Sequence, residues 1–192
     1  MNDILIRNVT KRYGPKTVLS NLSCRFPGGQ TTCVMGPSGC GKTTLMRLIL
    51  GLETPEDGEI LLPEGARLSC VFQEDRLVNH MSAVKNCRLA LRGQDEKIVE
   101  TLTKLGLGDS MHKPVRLLSG GMARRVSVAR ALVANADIVI MDEPFKGLDE
   151  DTRARAAGVI QEALRGRTLL LVTHDPDEAA VFGGRILDFN AL

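Results

Sequence analysis

The residues with the clearest chemical capacity are Gly36-Pro37-Ser38-Gly39-Cys40-Gly41-Lys42-Thr43. Three glycines allow a backbone whose N–H groups turn inward around an anion, in dihedrals that side chains forbid. Lys42 adds a point charge for outer phosphates, and the Thr43 hydroxyl is a small oxygen ligand of the kind a nucleotide-bound magnesium ion takes. Read alone, the segment could also be a chance glycine-rich turn. Two carboxylates, Asp142 and Glu143, close a second apolar run, and His174 closes a third. Asp142 suits a metal, and Glu143 could take a proton from an attacking water. An isolated Asp-Glu-Pro would serve equally as a helix cap or a solvated strand end; its company with the glycine loop favours chemistry.

Such residues need elements that deliver them. The apolar run Thr32-Cys33-Val34-Met35 enters the loop and a helical pattern over 44–50 leaves it. That is the strand–turn–helix context in which G-x-x-x-x-G-K-[ST] has its mechanical meaning. Upstream, residues 4–10 and 18–26 favour strand, and Leu22, Cys24 and Phe26 alternate with polar residues as in a half-buried antiparallel strand. Lys11-Arg12-Tyr13-Gly14-Pro15 reads as a turn between them, with Tyr13 at its edge. Residues 68–72 end in Gln73-Glu74-Asp75, a polar cluster of the kind open α/β sheets place at strand ends. Residues 138–141 form a continuous apolar run, as in a strand buried on both faces, and 168–172 lead to Thr173-His174.

From about residue 81 to 115 the spacing is helical. Ile98, Val99, Leu102 and Leu105 fall on one face, with Asp95, Glu96, Lys97, Thr103 and Lys104 on the other. Leu118-Ser119-Gly120-Gly121-Met122 is a second glycine turn, where Ser119 can cap a helix and the following N–H groups form another anion site. As a lone motif it is weak. The helix after it places Val126, Ala129, Leu132 and Val133 at core spacing.

The whole chain, at 192 residues, bounds the answer to one well-filled core with room for a small subdomain. A net charge of +2 argues against a nucleic-acid surface, and with no Trp and one Tyr, stacking platforms are scarce. No apolar run approaches the ~20 residues of a spanning helix, and the start lacks a signal-peptide pattern, so the chain is expected in the cytoplasm. Cys24, Cys33, Cys40, Cys70 and Cys87 have no paired spacing and read as reduced thiols.

Taken in order, Tyr13, the phosphate loop, Gln73, Leu118-Ser119-Gly120-Gly121, Asp142-Glu143, Gly147-Leu148-Asp149 and His174 make the chain resemble the ATP-binding subunits of ABC transporters over nearly its whole length. The resemblance implies an α/β fold. Its parts are a phosphate-loop NTPase core with a mixed parallel sheet, an N-terminal antiparallel β subdomain and a small α-helical insert. Residues 1–80 and 116–192 would form the core with its β subdomain, and about 81–115 the insert. ATP and Mg2+ are the implied cofactors. Gly36, Ser38, Gly39, Cys40, Gly41, Lys42, Thr43 and Thr44 would contact the nucleotide phosphates, and Tyr13 would stack on adenine. Thr43, Gln73 and Asp142 would hold the metal. Glu143 matches the catalytic base, His174 the switch histidine at the γ-phosphate, and Gln73 a residue that touches metal and attacking water. Ser119, Gly120 and Gly121 match a loop that binds the γ-phosphate held by the opposite subunit, and Asp149 a loop that crosses the dimer interface. On the residues alone, Tyr13 is as readily a loop anchor and His174 a structural histidine, the reading kept for His80 and His112.

The implied partners are a second copy or a paralogous ATPase subunit, permease subunits and, indirectly, a substrate-binding protein; no nucleic acid is expected. The permease would be met through the Gln73 loop, with Arg76, Leu77, Val78 and Met81 as contacts, and through the helical insert. The chain would then lie peripherally on the cytoplasmic face of the cell's inner membrane. His174-Asp175-Pro176-Asp177-Glu178-Ala179 resembles importer subunits more than exporters, and the C-terminal regulatory domain of some importers is expected to be missing. Two rival readings remain: a soluble ABC-type ATPase acting on nucleic acid or ribosomes, and an ATP-binding module without hydrolysis. The joint presence of Lys42, Asp142, Glu143 and His174 stands against the second. Met122, where Gln is usual, and Lys146, where small residues are commoner, depart from the family pattern; activity is expected to survive both.

Overall fold

In the strand Ile138–Asp142 every residue is buried, and successive side chains enter different cores. Val139 and Met141 join one apolar cluster, Ile138 and Ile140 the other. A strand with two apolar faces must lie inside a sheet covered on both sides. The computed structural model describes residues 3–189; residues 1, 2 and 190–192, counted in the expected domain, lie outside the described residues.

In chain order the elements are β1 (Ile4–Tyr13), β2 (Lys16–Phe26), β3 (Thr31–Met35), α1 (Lys42–Ile49), β4 (Asp57–Leu61) and β5 (Leu68–Val71). The helices α2 (Ala83–Arg88), α3 (Asp95–Lys104) and α4 (Gly120–Val133) follow. The chain then runs through β6 (Ile138–Asp142), α5 (Glu150–Ala163), β7 (Thr168–Val172), α6 (Pro176–Phe182) and β8 (Arg185–Asp188). They build two sheets: an antiparallel one ordered β2-β1-β4, and a five-stranded one ordered β5-β6-β7-β3-β8 in which every pairing is parallel. In register, Val71 faces Met141, Asp142 faces Val172, and Val172 faces Val34. The parallel strands therefore deliver the phosphate loop, Gln73, Glu143 and His174 to one edge, the carboxyl end of the sheet, where open α/β folds bind ligands.

Three readings change in detail. β1 runs on through Tyr13, which pairs with Lys16, so the turn is only Gly14-Pro15, with Gly14 at φ +57°. The charged Lys11 reads as turn from local sequence, but its Nζ donates to Thr54 O at 2.8 Å and Glu56 Oε1 at 3.0 Å. Those partners lie more than forty residues away, beyond the reach of any local pattern. On α3 the buried stripe contains Ile98, Leu102 and Leu105, whereas Val99 is exposed, one step around the helix. His80 and His112, read as structural, are exposed and lie in turns.

The helical insert is pinned at its base: Ser82 bridges Pro114, and Val115 N–H donates to Met81 O at 2.9 Å. The phosphate loop is wedged from two sides. A Cβ at Gly41 (φ +111°) would lie 2.7 Å from Leu19 Cδ2 of β2, and one at Gly36 (φ +151°) would lie 2.9 Å from Phe189 Cβ. Only glycine fits there, because both the dihedral and the space exclude a side chain.

Candidate active site

Helix α1 begins at Lys42 with Gly41 as its N-cap, no side-chain cap and no acidic residue in its first turn. Its leading N–H groups thus face the loop without an internal acceptor, the usual anion-binding arrangement. The Lys42 ammonium curls back over the loop, donating to Gly36 O at 2.6 Å and Pro37 O at 2.8 Å. Next to it, Thr43 Oγ1 donates to Asp142 Oδ2 at 3.1 Å, tying α1 to the end of β6. Asp142 is buried, and burial pushes its carboxyl above the usual range; the Thr43 hydroxyl works against that shift, and the charge of Glu143 adds to it. A cavity of about 260 Å³ is lined by Ser38, Gly39, Gly41, Lys42, Thr43 and Thr44, with Gln73, Asp142, Glu143 and Val18 completing its wall.

Glu143 follows the last residue of β6 in a left-handed conformation, φ +48°, and its N–H donates to Val172 O at 2.9 Å. Its carboxylate has two cationic or titratable neighbours. His174 Nδ1 lies 3.3 Å from Oε1, and Lys146 Nζ lies 3.8 Å from Oε2. The structure thus brings together the loop, Thr43, Thr44, Gln73, Asp142 and Glu143, with His174 touching the group through Glu143.

The other expected residues sit apart from this cavity. Ser119 caps α4, its Oγ accepting from Met122 N–H at 3.2 Å. A Cβ on Gly121 would be 3.2 Å from both Gly147 O and Leu148 Cδ2, so the second glycine turn and the Gly147-Leu148-Asp149 loop are neighbours. Asp149 caps α5 by accepting from Thr152 N–H at 2.9 Å, and that backbone donor holds its carboxyl below the usual range. Tyr13 is partly exposed, its hydroxyl on the Glu53 carboxylate and the Lys11 ammonium 5.4 Å from its ring centre. None of these lines the cavity.

Two residues of the site were absent from the sequence reading. Val18 lines the cavity from β2 and carried no signal beyond an apolar strand position. Arg124 did carry one: Arg124, Ser127, Val128 and Ala131, at i, i+3, i+4 and i+7 of α4, are all buried, which puts an arginine on a core-facing helical stripe. Its guanidinium reaches the backbone carbonyls behind Gln73 and Glu143.

A glycine loop between a parallel strand and a helix, with a threonine-linked aspartate and an adjoining glutamate at the end of β6, defines a phosphate-loop NTPase. The sequence profile of the family described as ABC transporter matches residues 19–146, and the chain belongs to that family. It is similar to the aliphatic sulfonates import ATP-binding protein SsuB of Yersinia pestis bv. Antiqua (strain Antiqua), 41% identical over 194 residues that cover 96% of this chain and 71% of that protein. An aliphatic sulfonates import ATP-binding protein, SsuB 2, of Burkholderia cenocepacia (strain HI2424) is 36% identical, covering 95% and 72%. Among solved structures, a bacterial ABC transporter cassette in dimeric form superposes with a TM-score of 0.85 at 28% identity, covering 97% of this chain and 94% of that one. The same cassette in a dimeric post-hydrolysis state, bound to ADP and Pi, also gives 0.85 at 28%, covering 96% and 93%. This chain is an ATP-binding subunit and an ATPase of the ABC family.

Proposed function

We propose that the chain works as one of a pair of ATPase subunits that drive an importer, with Glu143 as the base for ATP hydrolysis. The observation that carries this reading is the single wall on which Thr43 bonds Asp142 and Glu143 opens into the same cavity as Lys42. Lys42, held over the loop by Gly36 O, Pro37 O and, at 3.7 Å, Cys40 Sγ, brings its charge to the outer phosphates by exchanging the weak sulfur contact, while the α1 N–H groups receive the inner ones. The Glu143 carboxylate takes the proton of the attacking water, and His174, at 3.3 Å, steers that carboxylate and meets the γ-phosphate. Gln73, on the cavity wall, orients the water.

A magnesium ion fits this wall. Thr43 and Asp142 are oxygen donors held together, and the buried Asp142 carboxylate is one whose charge a cation would compensate; Gln73 adds a third oxygen. When bound, the ion would neutralise charge on the phosphates.

The Ser119-Gly120-Gly121 turn and Asp149 lie outside the cavity of their own chain, and the first N–H groups of α4, of which the Ser119 cap takes that of Met122, support their assignment to the nucleotide of a partner subunit. Tyr13 is assigned to the adenine. Residues 81–115 are the helical subdomain and the remainder the core unit. Permease subunits are the membrane partners, engaged through the Gln73 loop and Arg76, Leu77, Val78 and Met81. No helix among the described residues is long and apolar enough to cross a membrane. A peripheral position on the cytoplasmic face is assigned from the similarity to import ATP-binding subunits. The direction, import, rests on the similarity to aliphatic sulfonates import ATP-binding proteins at 36–41% identity. Nucleic-acid action and binding without hydrolysis have no observation in their favour.

Substituting Glu143→Gln tests the reading. It is expected to lower ATP turnover at least ~100-fold with nucleotide affinity unchanged, and to yield an ATP-dependent dimer on size exclusion that the wild type does not accumulate. Turnover within a few-fold of wild type would remove Glu143 from the role of base.

A further inference from the structure

We propose that Arg124 is a positioning residue for hydrolysis: its buried guanidinium locks the backbone of Glu143 and of the Gln73 loop to helix α4. The proposal rests on the reading of Glu143 as the base.

Arg124 is 3% exposed. Its Nη1 donates to Phe72 O at 2.5 Å and lies 3.4 Å from Gln73 O and 3.0 Å from Asp75 Oδ1. On the other side, Nη2 donates to Glu143 O at 2.6 Å and to Asp142 O, and Nε to Glu143 O at 3.2 Å. The planar fork of five donors is thus shared between the segments that follow β5 and β6. Those strands pair only as far as Val71 and Met141. Beyond that point no ladder bond joins them, and the guanidinium takes over the link.

The link matters most at Glu143. A left-handed glutamate is disfavoured by its own Cβ, and such a conformation persists where surrounding contacts over-determine it. Its N–H bonds Val172 O, and its carbonyl takes two bonds from Arg124 beside a turn bond from Lys146 N–H at 3.2 Å. Without Arg124 that carbonyl keeps only the long turn bond from the exposed Lys146 segment, and the peptide gains freedom to rotate and carry the carboxylate away from the cavity it lines. The Gln73 loop is stapled to the same helix face: Ser127 Oγ and Arg130 Nη2 donate to Asp75 O, and Arg130 Nη1 donates to Arg76 O at 2.9 Å. Because α4 starts at the Ser119 cap, one rigid helix connects the turn assigned to a partner's nucleotide with the base of its own site.

An apolar side chain of similar length would fill the same space, and a buried charge is an expensive way to fill a core. Among the described residues Asp75 is the only carboxylate bonded to it, and the remaining bonds go to carbonyls. Fixing those carbonyls is therefore what the guanidinium supplies that an apolar residue would not.

The test compares Arg124→Met and Arg124→Lys with wild type and with Glu143→Ala, in the full chain, by steady-state phosphate release, fluorescent ATP binding and thermal unfolding. Arg124→Met is expected to lower kcat at least ~30-fold with KM and nucleotide affinity within about threefold, and Arg124→Lys to recover part of the loss. Combined with Glu143→Ala, Arg124→Met should add less than about twofold, since both act on one group. A folded Arg124→Met with kcat within about threefold of wild type overturns the proposal, as does a loss shared equally by affinity and turnover. Should Arg124→Met fail to fold, Arg124→Lys decides by the same split between kcat and KM. Retained turnover in Glu143→Ala would instead overturn the assigned base, and with it the route by which Arg124 acts.

Discussion

At the scale of the residue, the site is governed by which polar groups are already satisfied and by what. The Lys42 ammonium is bonded to two loop carbonyls, so its position is set by the chain. Glu143 is held differently: its backbone is fixed, while its carboxylate is shared between His174 and Lys146. Lys146 is one of two departures from the family pattern, and the 3.8 Å contact raises the question of whether it sequesters the proposed base. Its side chain is 61% exposed, and pairs of that kind contribute at most about 1 kcal/mol. Lys146→Ser is therefore expected to change basal ATPase activity by less than about fivefold, checked by phosphate release at low and high salt. A much larger rise would make Lys146 a brake. Most of this level was legible beforehand, because Gly36 to Thr43, Gln73, Asp142, Glu143 and His174 are chemistry-bearing types at strand ends. Arg124 and Val18 were not: arginine is read as a surface residue by default, and an apolar strand position says nothing of which cavity it walls.

At the scale of the element, register does the positioning. Parallel pairing of β3, β5, β6 and β7 sets four functional strand ends on one edge, and alternation along β6 sends Val139 and Met141 to one core and Ile138 and Ile140 to the other. Element types were legible from period and punctuation. What local pattern could not reach was the extension of β1 through Tyr13, since Lys11 is stabilised by groups far away in sequence. Helix α6 carries a testable cost. Burial raises the Glu178 carboxyl above its ordinary 4.5, while a hydrogen bond from the Thr173 hydroxyl opposes the rise. The folded state binds that proton more readily than the unfolded one. Its favourable contribution is thus complete below pH ~4.5 and is lost as pH climbs through the raised folded value. Glu178→Gln keeps an acceptor for Thr173 and removes the titration. Thermal scans should show the variant more stable than wild type near pH 7.5, with the advantage shrinking towards pH 4.5. An advantage that is constant with pH would assign the effect to packing.

At the scale of the whole molecule, one five-stranded sheet divides two cores, and the antiparallel sheet closes one of them over α1. The cavity is built by a single chain, yet Ser119, Gly120, Gly121 and Asp149 lie elsewhere on it, which is the arrangement expected of a protein that completes its sites in pairs. The order of motifs made this architecture readable, whereas the wedging of the phosphate loop between β2 and the end of β8 depends on contacts between residues far apart in the chain. That wedge has an optical use. The sequence contains no tryptophan, and the backbone of Gly36 abuts the Cβ of Phe189, an atom that a larger aromatic shares. Phe189→Trp would install a lone fluorophore one contact from the phosphate loop. Its emission is expected to change on titration with ATP and to saturate together with binding, equally in the Glu143→Gln background. A flat signal alongside measured binding would show that the loop accepts nucleotide without disturbing the strand end it rests on.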